Sequence, residues 1–168
     1  MSMTHYMELL AANQPWNLLL FMAIPVILAE TVAITELYLL FTRARTGWVK
    51  TLSRAAGILG GVYFAGVMVY LLKTAVLPIT QAGAWRGPVD VIAVGGYLLS
   101  GIALICIALQ ELRVIDRNRT DDQRLIRHAV YVGAFLILAH VAMIAGMLDP
   151  AVFGYQAAAS TDMMHGNH

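Results

Sequence analysis

The sequence is poor in charge and nearly devoid of cysteine. Asp, Glu, Lys and Arg make up 12% of its 168 residues, apolar types make up 60%, and the one thiol is Cys106. A single cysteine builds neither a disulfide framework nor a paired-thiol redox site within one chain, which excludes quinone-linked disulfide chemistry. A formal net charge of +1 lacks the basic excess that nucleic acid demands. No apolar run contains a Glu-x-x-His pair, which argues against a carboxylate-bridged di-iron bundle. There is no internal repeat of the inverted-transporter kind and no low-complexity tract. A cleavable leader is not expected, because the first apolar run begins at Trp16, is long for a signal core and continues into a basic loop.

What is present is long hydrophobic runs. Some 20 apolar residues cross a bilayer at about 1.5 Å per residue, and four runs meet that length, at about 16–42, 55–80, 89–112 and 127–148. The fold expected is all-α, an integral membrane four-helix bundle covering 16–149, with short loops making successive helices antiparallel neighbours. Residues 1–15 form an amphipathic lead whose Tyr6, Met7, Leu9 and Leu10 can lie on the membrane surface, and 150–168 form a Met/His tail. Thr120 with Gln123 fits a capping box for the fourth helix, and Asp149-Pro150 stops it. Gly57, Gly61 and Ala65 form a small-residue strip for close helix packing, as do Gly96 and Ser100. Nine of the 11 Lys and Arg residues fall in the first and third loops: Arg43, Arg45, Lys50, Arg54, Arg113, Arg117, Arg119, Arg124 and Arg127. The positive-inside rule then places those loops in the cytoplasm and both termini outside.

Ionisable side chains inside these spans are costly in hydrocarbon and mark function or pairing. His140 lies near the middle of the fourth span and Glu30 near the middle of the first, so the two are expected to meet in the interior. Glu36 lies about 120° round the helix from Glu30 and nearer the cytoplasm. It is expected to pair with Arg113 or His128 instead. The alternative is that these groups only satisfy each other and fix helix register.

The 9 methionines supply a second pattern, since with this topology none is cytoplasmic. On the fourth helix Met147 falls within about 20° of His140 and Met143 within about 60°, a ladder leading outward. Met3, His5 and Met7 before the first span, and Met163, Met164, His165 and His168 in the tail, add thioethers and imidazoles on the same side. Those ligands suit Cu(I). The function expected is therefore periplasm-facing copper binding, delivery or transport, with Glu30 and Glu36 as charge partners or proton relay. Methionine also fills apolar cores without any metal. A b-type haem is the competing cofactor, in an accessory membrane subunit of a respiratory complex. His128 and His140 stand about 18 Å apart on one helix and cannot grip one iron. Met68, a terminal histidine or a second protomer would have to complete that site. A structural or lipid-binding bundle is the third reading; Tyr63, Tyr70, Trp16 and Trp85 are available to a quinone or lipid groove, with interfacial anchoring the ordinary role for both tryptophans. The partners expected are the lipid bilayer and a homo-oligomer or larger membrane complex.

The segments Met3-Thr4-His5-Tyr6-Met7, Asn13-Gln14-Pro15-Trp16-Asn17-Leu18, Met22-Ala23-Ile24-Pro25-Val26 and Ala29-Glu30-Thr31-Val32-Ala33-Ile34-Thr35-Glu36 resemble a family of small four-span bacterial proteins. That family is labelled only as permeases or as domains of unknown function. The resemblance covers the whole chain and implies a bacterial inner-membrane setting, with no residue roles to carry over.

Overall fold

The computed structural model describes residues 3–43, 47–115, 118 and 120–155. Four helices are long and apolar enough to cross a bilayer, Trp16–Thr42, Trp48–Gln81, Pro88–Glu111 and Asp122–Met147, with no strand among the described residues. They pack in cyclic order, each against the next and the first against the fourth. The third span is the most enclosed: half of its apolar window is buried, against 28% for the first and the fourth. The apolar side chains left outward, such as Ile34, Phe41, Leu59 and Ile137, face lipid, where an exposed hydrocarbon surface costs nothing.

The second span is longer than its hydropathy suggests. It starts at Trp48, after Gly47 at φ +125°, and so places Ser53 and Arg54 inside the helix instead of the loop before it. No breaker lies between Gly47 and the apolar run, so the helix continues out of the hydrocarbon by nearly two turns. The small-residue strip does pack this helix closely on the third. A Cβ on Gly61 would lie 2.3 Å from that of Ala108, and one on Gly57 2.9 Å from Ile107. Ala65 is only partly buried. In the same manner Gly96 faces Ala142, and the buried Ser100 hydroxyl donates to the Tyr97 carbonyl.

Proline shapes the first span. Pro25 has no N–H for the Phe21 carbonyl, and a π-helical turn over Leu19–Ala23 precedes it. The freed acceptors are taken across the bundle: Tyr97 Oη donates to Phe21 O, and Tyr63 Oη donates to Leu20 O at 2.9 Å. Around Tyr97 an aromatic column runs from Tyr6 through Tyr97 and Phe64 to Phe135, with neighbouring ring centres 5.1–6.3 Å apart. Phe64 reaches the centre because Gly101 leaves room for its ring.

The lead segment is not laid on the membrane surface. His5–Ala11 is a helix capped by the Thr4 hydroxyl, which accepts from Met7 N and donates to Gly146 O at 2.8 Å. Tyr6 and Leu10 are buried in the bundle core, and Gly146 is the gap that admits the Tyr6 ring. The fourth helix begins where the capping box places it, with Thr120 Oγ1 accepting from Gln123 N, and ends at Met147. Pro150–Phe153 is a single 3-10 turn.

Candidate functional sites at the two ends of the bundle

At the end carrying the basic loops, every span contributes to one polar cluster. Glu36 of the first span and His128 of the fourth are both 3% exposed, and Glu36 Oε1 pairs with His128 Nδ1. Of the two partners the sequence offers Glu36, the structure selects His128. Arg113 is exposed, at φ +58° beyond the third helix. The other face of His128 turns to Glu111 of the third span, with Nε2 and Oε1 3.3 Å apart but not aligned as a hydrogen bond. Glu111 Oε2 lies 3.7 Å from Arg54 Nε of the second span.

Next to it, Gln110 and Arg124 clamp the third helix to the fourth: Gln110 Nε2 donates to Arg124 O at 3.2 Å and Arg124 Nη2 to Gln110 O at 2.9 Å. A cavity of about 510 Å³ opens beside these groups, lined by Glu36, His128, Glu111, Ser53 and Arg124 among others. Glu36 Oε2, His128 Nε2, Gln110 Oε1 and Arg124 Nε are buried without a hydrogen-bond partner. Buried polar atoms are satisfied almost without exception unless a site needs them free, so this concentration marks a candidate site. Glu111 and Gln110 carry no role in the sequence pattern, and Arg54 and Arg124 count there only as loop charges that set topology. Their signal is position alone: each ends or precedes a span at the depth of Glu36.

The opposite end is closed. Asp90, fully buried in the first turn of the third span, accepts from His5 N at 2.7 Å, from Arg86 N at 3.2 Å and pairs with His5 Nδ1 at 2.6 Å. Arg86 forks onto both oxygens of Glu8 at 2.6 and 2.9 Å and also donates to Met3 O. Glu8 holds the Arg86 guanidinium above its ordinary range, and burial pushes the Tyr6 phenol up to about 12. His5, read as a metal ligand, is thus engaged by Asp90.

Between the two ends a smaller cleft of about 110 Å³ lies on the flank of the first and fourth spans, lined by Met22, Glu30, His140 and Met143 beneath Tyr6 and Tyr97. Glu30 and His140 share it but do not bond, and both are exposed on the flank of the bundle instead of meeting in its interior. Register explains this. From the Glu36–His128 contact, Glu30 lies six residues outward and His140 twelve, roughly 9 and 18 Å along the axes. They turn to the same flank at different heights. His140 Nδ1 is 2.6 Å from Leu136 O, so that nitrogen donates, and in the neutral ring Nε2 is then the acceptor.

The methionine ladder is only partly assembled. Met143 lines the cleft, Met147 is 66% exposed, Met3 is exposed, and Met7 packs on the core beside Gly146. Met163, Met164, His165 and His168 lie outside the described residues. Among the described residues no three His, Cys, Asp or Glu side chains form a metal-binding group.

Four apolar spans with a polar cluster drawn from all of them define a small helical membrane-bundle protein. Residues 1–162 match the model of a family of unknown function, DUF6803, and the chain belongs to that family. No curated protein and no solved structure matches the chain.

Proposed function

We propose that the protein handles a soft metal ion, most plainly Cu(I), in a bacterial inner membrane with the basic loops in the cytoplasm. The ion site in this reading is the flank cleft. Met22 and Met143 supply thioether sulfur, His140 supplies Nε2, and Glu30 is the charge partner. The observation that carries it is the tautomer of His140 in company with two thioethers. Metal-ligating histidines commonly donate their second nitrogen to a backbone carbonyl and present the other lone pair, which is how His140 is held by Leu136 O. Thioether and neutral imidazole are the donor types that favour Cu(I) over harder ions. The cleft lies toward the end where the N-terminal helix docks, so delivery to or from that side needs no passage across the whole bundle. Met163, Met164, His165 and His168 are the capture end in this reading.

The test is Cu(I) loading of the full chain in nanodiscs, with metal content and X-ray absorption as readouts. Stoichiometric copper in a sulfur and nitrogen shell is expected, lost in a Met22→Leu, His140→Leu, Met143→Leu triple variant. Equal copper in that folded variant overturns the assignment.

A further inference from the structure

The cavity at the basic-loop end gathers buried acceptors around His128. In neutral His128 the proton on Nδ1 is donated to Glu36, which leaves Nε2 as an acceptor. That nitrogen faces Glu111 Oε1, another acceptor, and Glu36 Oε2 has no aligned donor, although the Ser53 hydroxyl lies beside the carboxylate. The Glu36 and His128 side chains are each 4% exposed, so bulk water screens them little. Glu36 and Glu111 flank His128 on two sides, and Arg54 meets Glu111 from outside the cavity lining.

A monocation with N–H donors fits between these facing acceptors. A proton on Nε2 is one such species, and an ammonium group is the other. The remaining charged groups facing the cavity are Arg43, Lys50, Arg124 and Asp122, and three cations over one acid make its mouth basic. Leu40 and Ile126 carry the cavity's apolar wall out to the lipid-facing surface. Acidic floor, basic mouth and apolar flank together match one chemical group.

We propose that this cavity binds a primary ammonium joined to a phosphate. The ammonium donates to Glu36 Oε2, Glu111 and His128 Nε2, and the phosphate sits against Lys50, Arg43 and Arg124. The same chemistry has two sources, a free ethanolamine-phosphate type of solute or the head group of an aminophospholipid whose chains follow the apolar wall.

The test uses the full chain in phosphatidylcholine nanodiscs, titrated calorimetrically with O-phosphoethanolamine, phosphocholine and inorganic phosphate. Phosphocholine has the same charges without N–H donors. Phosphoethanolamine is expected to bind about tenfold or more tighter than either, a margin set by charge-assisted hydrogen bonds. Glu36→Gln removes that preference, and Lys50→Ala, at an exposed rim position, weakens binding several-fold. In parallel, native mass spectrometry from mixed vesicles of phosphatidylethanolamine and phosphatidylcholine reads lipid retention. Tight binding of the free compound assigns a soluble ligand, and selective retention of phosphatidylethanolamine without it assigns the head group. If the free compounds do not differ and neither lipid is preferred, the proposal is overturned, as it is if inorganic phosphate binds as tightly as phosphoethanolamine. Should Glu36→Gln fail to fold, the Lys50→Ala variant decides: binding indifferent to it overturns the proposal.

Discussion

Each end of this bundle buries a carboxylate against a histidine, Glu36 with His128 at one and Asp90 with His5 at the other, and the surroundings of the two differ completely. Both Asp90 oxygens are covered by backbone N–H groups and the imidazole, under a docked helix. Glu36 keeps one oxygen unpartnered beside a cavity of about 510 Å³, and its histidine keeps a nitrogen unpartnered too. A carboxylate–histidine pair thus serves as a closure where every acceptor is met and as a site where some are not. Satisfaction of the lone pairs, more than residue type, separates the two.

The comparison breaks most sharply at Asp90. Asp90→Ala leaves two backbone donors and a histidine without their acceptor, and breaking a buried pair costs about 3–5 kcal/mol. The expected outcome is a large fall in thermal stability with loss of amide-exchange protection over His5–Ala11, while the basic-loop end stays protected. His128→Leu should cost nearly as much, by leaving Glu36 uncompensated. Pairing it with Glu36→Leu should recover stability to within about 1 kcal/mol, because two apolar side chains replace a buried pair at little net cost. Equilibrium unfolding of the three variants in lipid checks this. A double variant no better than the single would make the basic-loop cluster a structural closure like its counterpart.

A smaller effect sharpens the contrast through pH. The folded state holds the Tyr6 phenol at about 12, above the ordinary value of 10.0, so folding favours the protonated form. That stabilisation is complete below about pH 10 and is lost as pH rises through 12, by at most about 2–3 kcal/mol. Undocking of the N-terminal helix is expected in that window, read by exchange over residues 5–11, and Tyr6→Phe should abolish the dependence. The smallest effect is at Glu8, which is about half exposed. Glu8→Gln should cost below about 1 kcal/mol and less still in high salt, since solvent screens such pairs. Melting curves at low and high salt read it.

How much was legible before the structure depends on the range of each interaction. The four spans follow from runs of apolar residues, and the fourth helix starts at the Thr120–Gln123 box because a cap is a local hydrogen bond. Glu36 and His128 were pairable from depth alone. The expected Glu30–His140 meeting failed because depth counted from span midpoints carries an error of several residues, and one closed contact elsewhere sets the register. Glu111 and Arg54 were hidden because a charged residue at a span end looks like an interface anchor until its neighbours are in place. Tyr97 was hidden for a related reason: its acceptor is free only because Pro25 lies four residues beyond Phe21 on another helix.

By itself the sequence determined that this chain is a four-span helical membrane bundle, because hydrocarbon admits only long apolar segments with their backbone bonds closed internally. It determined the helix caps and the small-residue contacts for the same reason, each being set by residues within a few positions of one another. The tertiary structure alone decided which polar groups meet, that His5–Ala11 seals one end, and that the other keeps a cavity. Those outcomes depend on helix rotation and register to within a fraction of a turn, and they are fixed only when all four spans pack at once.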